Sequence, residues 1–457
     1  MSLSMPDLRA SLDGTFHGEV VGPEDPDYDD VRRVFLGDVD RRPAIILRPA
    51  DAESVARAVT VARAAGLPLA VRCGGHSGAG HSAVDDGIVI DVRNLKTLEI
   101  DTENQTAWAG AGLTAAEYTA AVGEHGLATG FGDTGSVGIA GITLGGGIGF
   151  LVRKFGMTID NLIAAEIVTA DGQILHVDAD SHPDLFWAVR GGGGNFGVAT
   201  RFRFRLHDLP DFVGGMLMLP ATREVIAGAI AIADSAPDEF SAIVNVMTAP
   251  PLPFIPEDLH GTLVVMTLLG YAGPAAEADE VLGPLRALAT PIADFVRPMA
   301  YAEMFPPEDE SYRPTAVGET LFVDTVDGAV IDTILKQLNE IDAPLRVTQL
   351  RPLGGAMARV AAEATAYAHR GAGFMVNLAA FYTSPEDKVA KQGWVTAFRD
   401  QLEQGSPRAY VGFVNDEDDP DRVRAAYPGA TWDRLVEVKR RYDPQNLFRR
   451  NQNIRPD

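Results

Sequence analysis

A chain of 457 residues is long enough for more than one domain, and 46% hydrophobic residues with a mean hydropathy near zero supply a large core. The net charge of −24, from 63 acidic against 39 basic residues, argues against nucleic acid as a partner, because neutralising phosphates takes clustered Lys and Arg. No apolar run reaches the roughly 18 residues of a membrane span, residues 1–7 lack the basic and apolar regions of a secretory signal, and the single cysteine, Cys73, allows no internal disulfide, so a cytoplasmic protein without a membrane partner is expected.

The first strongly patterned segment starts at Asp51, a good N-cap. Val55, Val59 and Ala62 then recur at helical spacing, and Gly66 stops the helix. Residues 67–71 read as a short strand that runs directly into the glycine-rich stretch 72–80. Glycines after a strand let backbone N–H groups approach an anion such as pyrophosphate, and His76 among them would lie against the bound group. A tight surface turn with a solvated histidine is the competing reading. Residues 88–92 read as a strand and the Ala-rich stretch 114–125 as a helix, so 40–209 has an α+β texture dense in glycine.

From Pro210 the texture changes. Strand-like pieces at 214–219, 263–269 and 374–381 alternate with helical ones at 275–289, 329–341 and 385–404, which predicts an antiparallel sheet covered by helices. If 347–352 is a strand, Gln349 and Arg351 share one face and point either at a substrate or into a salt bridge. The acidic run 416–421 reads as solvated surface, and a last helix, 432–442, stops at Asp443-Pro444.

The run Arg-Cys-Gly-Gly-His-Ser at 72–77 resembles the flavin-attachment sequence of the berberine-bridge-enzyme-like FAD oxidases, of the vanillyl-alcohol-oxidase flavoprotein superfamily. Three more stretches resemble that family, in its order: the glycine-rich 135–149 continuing to Asn161, Leu-Phe-Trp-Ala-Val-Arg and four glycines at 185–194 continuing to Val198, and 439–454. The resemblance implies an α+β chain with a PCMH-type FAD-binding domain of two subdomains (1–209), an antiparallel-sheet substrate domain covered by helices (210–407) and a C-terminal segment (408–457) that returns to the first domain. It also implies FAD as the cofactor, bonded through His76 to the flavin 8α-carbon. Cofactor contacts are implied for Arg72, Cys73, Gly74, Gly75, Ser77 and Gly78 in the first loop. In the second they fall to Thr134, Gly135, Val137, Gly138, Gly141, Gly145, Gly146 and Gly147, and beyond it to Asn195, Gly197, Val198 and Asn451.

Departures from the family pattern carry their own information. Doubly linked members have a cysteine where this chain has Thr134, and a threonine hydroxyl is not a comparable nucleophile, so one link is expected. Val137 matches the position that gates oxygen at flavin C4a, with simple packing as the alternative. Residues 409–415 resemble a strand near the isoalloxazine, but Gly412 replaces the usual asparagine and Asn415 comes later; Tyr410 is the candidate for the substrate proton, or else a buried tyrosine that merely satisfies its hydroxyl. The formal GxGxxG at 130–135 is rejected as a Rossmann site, since neither a core strand before it nor an acidic residue at the ribose position is evident. His81 is not expected to bind metal, and His369 is read as structural. Together these imply an oxidase that moves hydride from a C–H beside an alcohol or amine to FAD and then to O2, acting as a monomer or homodimer. An oxidative cyclase, a dehydrogenase with another acceptor, and a flavin-binding protein without turnover are the alternatives.

Overall fold

The computed structural model describes residues 5–12, 14–309, 311–415 and 419–456; residues 1–4 at the start and 416–418 of the acidic run lie outside the described residues. Asp51 caps the helix Ala52–Ala65 by accepting a hydrogen bond from Ser54 N–H, and Gly66, at φ 63°, closes it in the left-handed conformation. That helix covers a four-stranded sheet in the order Gly18–Val21, Ile45–Pro49, Ile88–Asp91, Leu69–Arg72, in which the last three run parallel. Ile88–Asp91 is buried throughout, as a parallel strand covered on both faces must be.

A second sheet, all antiparallel, has the order Leu98–Asp101, Thr106–Gly110, Val198–Arg205, Leu162–Val168, Ile174–Asp178. Both sheets share one apolar core, to which the C-terminal helix Ala430–Tyr442 contributes Leu435, Val436 and Val438. Lys439 anchors this return. It is fully buried, pairs with Asp443 at 2.7 Å, and donates to Asn195 O and Phe448 O.

The third sheet is antiparallel and separate, in the order Ala293–Asp294, Val213–Pro220, Leu263–Tyr271, Phe240–Thr248, Arg346–Pro352, Phe374–Phe381, Ala316–Val323. The helices Arg223–Ser235, Ala275–Arg286, Gly328–Glu340 and Pro385–Leu402 supply its core partners, among them Leu282, Ile334 and Phe398. Strand alternation then decides what the opposite face carries. Leu350, Val376 and Leu378 go under the helices, while Gln349, Arg351 and Asn377 border the cavity described below. Asn245, Gln349 and Asn377 are direct partners across three neighbouring strands and form a row of amides on that face. The chain is an α+β protein of the kind expected. Among the described residues, no helix is long and apolar enough to cross a membrane.

Candidate active site

Two glycine loops meet with their backbones touching. A Cβ on Gly74 would stand 2.4 Å from Gly138 N, and one on Gly138 would stand 2.0 Å from Cys73 Sγ, so neither position has room for a side chain. The second loop holds more order than its sequence suggests: Gly138 starts the helix Ile139–Gly145. The carbonyl of Val137 accepts a hydrogen bond from Ala115 N–H at 2.9 Å.

These loops form one side of a cavity of about 520 Å³, and Gln349, Arg351 and Asn377 of the third sheet form another. The first loop contributes Cys73, Gly74, Gly75, His76 and Ser77, and the second contributes Thr134, Val137, Gly138, Gly141 and Gly145. Gly197, Val198, Asn451 and Tyr410 also reach it. The other expected positions lie outside the lining. Arg72 is buried behind the strand, where it pairs with Asp91 at 2.7 Å and donates to Arg32 O at 3.1 Å. Gly135 packs on Ala116 and Phe305, and Gly147 on Thr158. Gly146 sits at φ 136° beside Met157 and Tyr410. Gly78 abuts Asn415 on a smaller neighbouring cavity of about 180 Å³. Asn195 spends its amide on Gly192 O, Gln452 O and Ile454 N–H, which fastens the C-terminus to the glycine run.

His76 stacks on Phe35, with ring centroids 4.2 Å apart, and its Nε2 lies 3.0 Å from Ser136 Oγ. Burial holds its pKa below the usual histidine range. Cys73 donates to Ala111 O at 2.9 Å, and burial pushes its thiol up to about 11, which keeps it protonated. Residues 409–415, likened to a strand, instead form a short 3₁₀ turn at Val411–Phe413. Tyr410 Oη accepts a hydrogen bond from Gly147 N–H at 2.9 Å, and its ring fills the space where a side chain on Gly412 would go, 2.8 Å from Tyr410 Cε1. Burial pushes the Tyr410 hydroxyl up to about 12. Arg351 pairs with Asp133 at 2.6 Å, donates to Ile148 O at 3.2 Å and holds Gln349 Oε1, while Gln349 donates to Asn245 Oδ1. Arg351 therefore borders the cavity while held in an ion pair.

Sequence reasoning missed Phe35, Asp133, Ser136, Asn377 and Phe413, all but Ser136 of which border the cavity. It also missed the cofactor-side potential of His81, whose Nε2 is buried without a partner and whose pKa burial pushes down to about 3. His369 stays outside the cavity and bonds Ala425 O at 2.9 Å, as a structural histidine does. Among the described residues, no group of three or more His, Cys, Asp and Glu is placed to hold a metal ion.

Residues 43–178 match the family model described as an FAD binding domain, and residues 409–455 match the one described as berberine and berberine like. The (R)-6-hydroxynicotine oxidase of Paenarthrobacter nicotinovorans is 29% identical over 467 residues, spanning 97% of this chain and 98% of that protein. These matches make the chain an FAD-linked oxidoreductase that is similar to the berberine-bridge-enzyme-like proteins. Among its relatives is the berberine bridge enzyme-like C-1 of Nicotiana tabacum, 28% identical over 490 residues that span 91% of this chain and 85% of the relative. Its backbone is similar to the crystal structure of 6-hydroxy-D-nicotine oxidase from Arthrobacter nicotinovorans, with a TM-score of 0.85 and 26% identity over 97% of this chain and 98% of that one.

The cavity fits FAD. Gly141 and Gly194 border it with open space where a Cβ would stand, so the walls are bare backbone on the side a flat cofactor would approach. Two residues of the lining, His81 and Asn451, keep a buried polar atom without a protein partner, Nε2 and Oδ1 respectively. A cofactor rich in phosphate oxygens and ring amides satisfies such atoms.

Proposed function

We propose that this protein is an oxidase that takes hydride from a C–H beside an alcohol or amine of a small molecule, using FAD bonded covalently to His76, and yields hydrogen peroxide. Atoms balance as R₂CH–XH plus O2 giving R₂C=X plus H2O2, with X an oxygen or a substituted nitrogen. The observation that carries the reading is the convergence of His76, Val137, Tyr410 and the Gln349–Arg351 wall on one cavity. Bound FAD supplies the hydride acceptor and the reaction with O2. The residues around it bind and orient. The bare backbone of Gly74, Gly75, Gly138 and Gly141, with Gly197, Val198 and Asn451, holds the cofactor, and Ser77 and Cys73 shape the first loop. Arg72 serves through the loop's foundation, by tying its strand to Asp91.

Tyr410 acts as a neutral phenol, because its hydroxyl is pushed far above neutral pH. Its oxygen accepts from Gly147 N–H and keeps a second lone pair, with which it accepts a hydrogen bond from the substrate's X–H; the proton of that group leaves to solvent as the hydride departs. Arg351 and the amides of Gln349 and Asn377 offer donors and acceptors for a polar substrate such as a sugar, a secondary metabolite or an alkaloid-like amine. Thr134 and the protonated Cys73 support a single link, at His76. The test is a panel of small alcohols and amines screened under nitrogen for loss of flavin colour, followed by admission of air. Bleaching, with rapid recovery of colour and formation of peroxide in air, is expected. Slow recovery in air with fast recovery by a quinone would reassign the protein as a dehydrogenase, and a ring-closed product as a cyclase. No bleaching by any member would leave a flavin-binding protein without turnover.

A further inference from the structure

One line of contacts ends on His76 and is assembled from three separate segments. Glu308 touches Ser136 twice: Oε1 accepts from Ser136 N–H at 3.0 Å and Oε2 accepts from Ser136 Oγ–H at 2.6 Å. Ser136 Oγ lies 3.0 Å from His76 Nε2. A carboxylate only accepts, and a hydroxyl has a single proton to give. Once Ser136 gives that proton to Glu308, its oxygen faces His76 as an acceptor, and the 3.0 Å contact is Nε2–H donating to Oγ. The ring is then the Nε2–H tautomer, and Nδ1 keeps its lone pair. Phe35 fixes the plane of that ring by stacking at 23° and is itself tied to the loop by its N–H on Gly75 O at 3.2 Å. The geometry is that of a nucleophile held by a hydroxyl and a carboxylate behind it.

We propose that Glu308, acting through Ser136, is the positioning residue for covalent flavin attachment: it fixes the tautomer that presents His76 Nδ1 and receives the proton that Nε2 must afterwards lose. The proposal rests on His76 being the attachment residue. Attachment exchanges one C–H of the flavin 8-methyl group and one imidazole N–H for an Nδ1–C bond. Two protons and two electrons leave, and O2 is the oxidant that takes them as H2O2. The methyl proton goes to solvent. The imidazole proton is still on Nε2 after Nδ1 has spent its lone pair, and it leaves along Ser136 Oγ to Glu308. Charged groups on both sides act on the ring: Glu308 favours its protonated form, while burial and Arg313 oppose it, so the ring is neutral before attack.

Glu308 is exposed, so its replacement removes no core contact. The experiment makes wild type, Glu308→Gln, Ser136→Ala and Ser136→Thr by cell-free synthesis with FAD present in air, and follows the growth of acid-stable flavin from about pH 6 to about pH 9, across the titration of an alkylated imidazole. Wild type and Ser136→Thr, which keeps the hydroxyl, are expected to link fast with little pH dependence. Glu308→Gln and Ser136→Ala are expected to bind FAD but link it more slowly, by about tenfold at neutral pH, and to recover as pH rises and hydroxide replaces the missing acceptor. Linking of Glu308→Gln at the wild-type rate overturns the proposal, and so does a slow rate that does not recover at high pH. Wild type that binds FAD yet never links it overturns His76 as the attachment residue and this inference with it, whereas linked wild type with an unaffected Glu308→Gln overturns this inference alone.

Discussion

Val137 shows how a single side chain can be tested in isolation, because its backbone is pinned by Ala115 N–H on its carbonyl while its isopropyl group borders the cavity. Under the oxidase reading, Val137→Leu should slow flavin reoxidation by O2 about tenfold, equivalent to about 1.4 kcal/mol on that barrier, and leave anaerobic reduction nearly unchanged. Stopped-flow measurement of both half-reactions decides it; equal slowing of the two would mean that the added methylene merely disturbed packing. Tyr410 makes a different demand. Tyr410→Phe strands Gly147 N–H in a buried site, so stability should fall by about 1–3 kcal/mol in a denaturant titration. The same variant should lose about 10- to 100-fold in kcat/KM, roughly 1.4–2.7 kcal/mol, yet keep its flavin through acid precipitation. Unchanged kcat/KM would leave the hydroxyl with a structural role only.

Among the elements, the paired glycine loops give the clearest contrast. Gly138→Ala would drive a Cβ to 2.0 Å from Cys73 Sγ and 2.5 Å from Gly74 N, so the loops must part, at a cost of about 1–3 kcal/mol. Gly141→Ala meets nothing within 4 Å and replaces a helical glycine, so the flavin-free protein should be slightly stabilised, by about 0.5–1 kcal/mol, while flavin binding weakens. Thermal melts with and without FAD separate the two; equal behaviour would show that the open space at Gly141 is not where the cofactor lies. Local signals made these elements readable: Asp51 and Gly66 delimit Ala52–Ala65, and Phe374–Phe381 is a strand-length apolar run interrupted only by Asn377. Phe240–Thr248 offered no such signal, because it is buried along its whole length and shows no period. Residues 409–415 were expected as a strand because they resemble one near the isoalloxazine, yet Val411–Phe413 is a 3₁₀ turn, beside which Tyr410 Oη takes Gly147 N–H across a long stretch of chain. Glu308 was illegible for the same reason, as it meets Ser136 from 172 residues away.

At the scale of the whole molecule, buried histidines tie stability to pH. His207 lies in contact with Asn161 Oδ1 and stacked on Phe155, His369 donates to Ala425 O, and His81 lies buried beside the cavity. Burial pushes their pKa values down from 6.5, to about 4 for His207 and His369 and to about 3 for His81. Each is therefore neutral in the folded chain at a pH where the unfolded chain has already taken a proton. The unfolded state binds more protons, so stability falls as pH drops below 6.5, and each histidine's loss is complete only near its folded pKa. Each contributes a slope of at most about 1.4 kcal/mol per pH unit. The aspartates stabilised in the folded state, such as Asp51 and Asp91, begin to lose their contribution only as pH falls below about 5 and the unfolded carboxyls start to take protons, so the interval from about pH 6.5 to about pH 5 belongs to the histidines. Urea midpoints across that interval should decline steadily in the wild type. His369→Gln keeps an N–H donor for Ala425 O without a titrating ring, and its decline should be shallower by up to one histidine's slope. A wild-type midpoint that stays flat from pH 6.5 to 5, or a His369→Gln slope equal to the wild type, would mean that water reaches these rings in the folded state and that their protons cost the fold nothing.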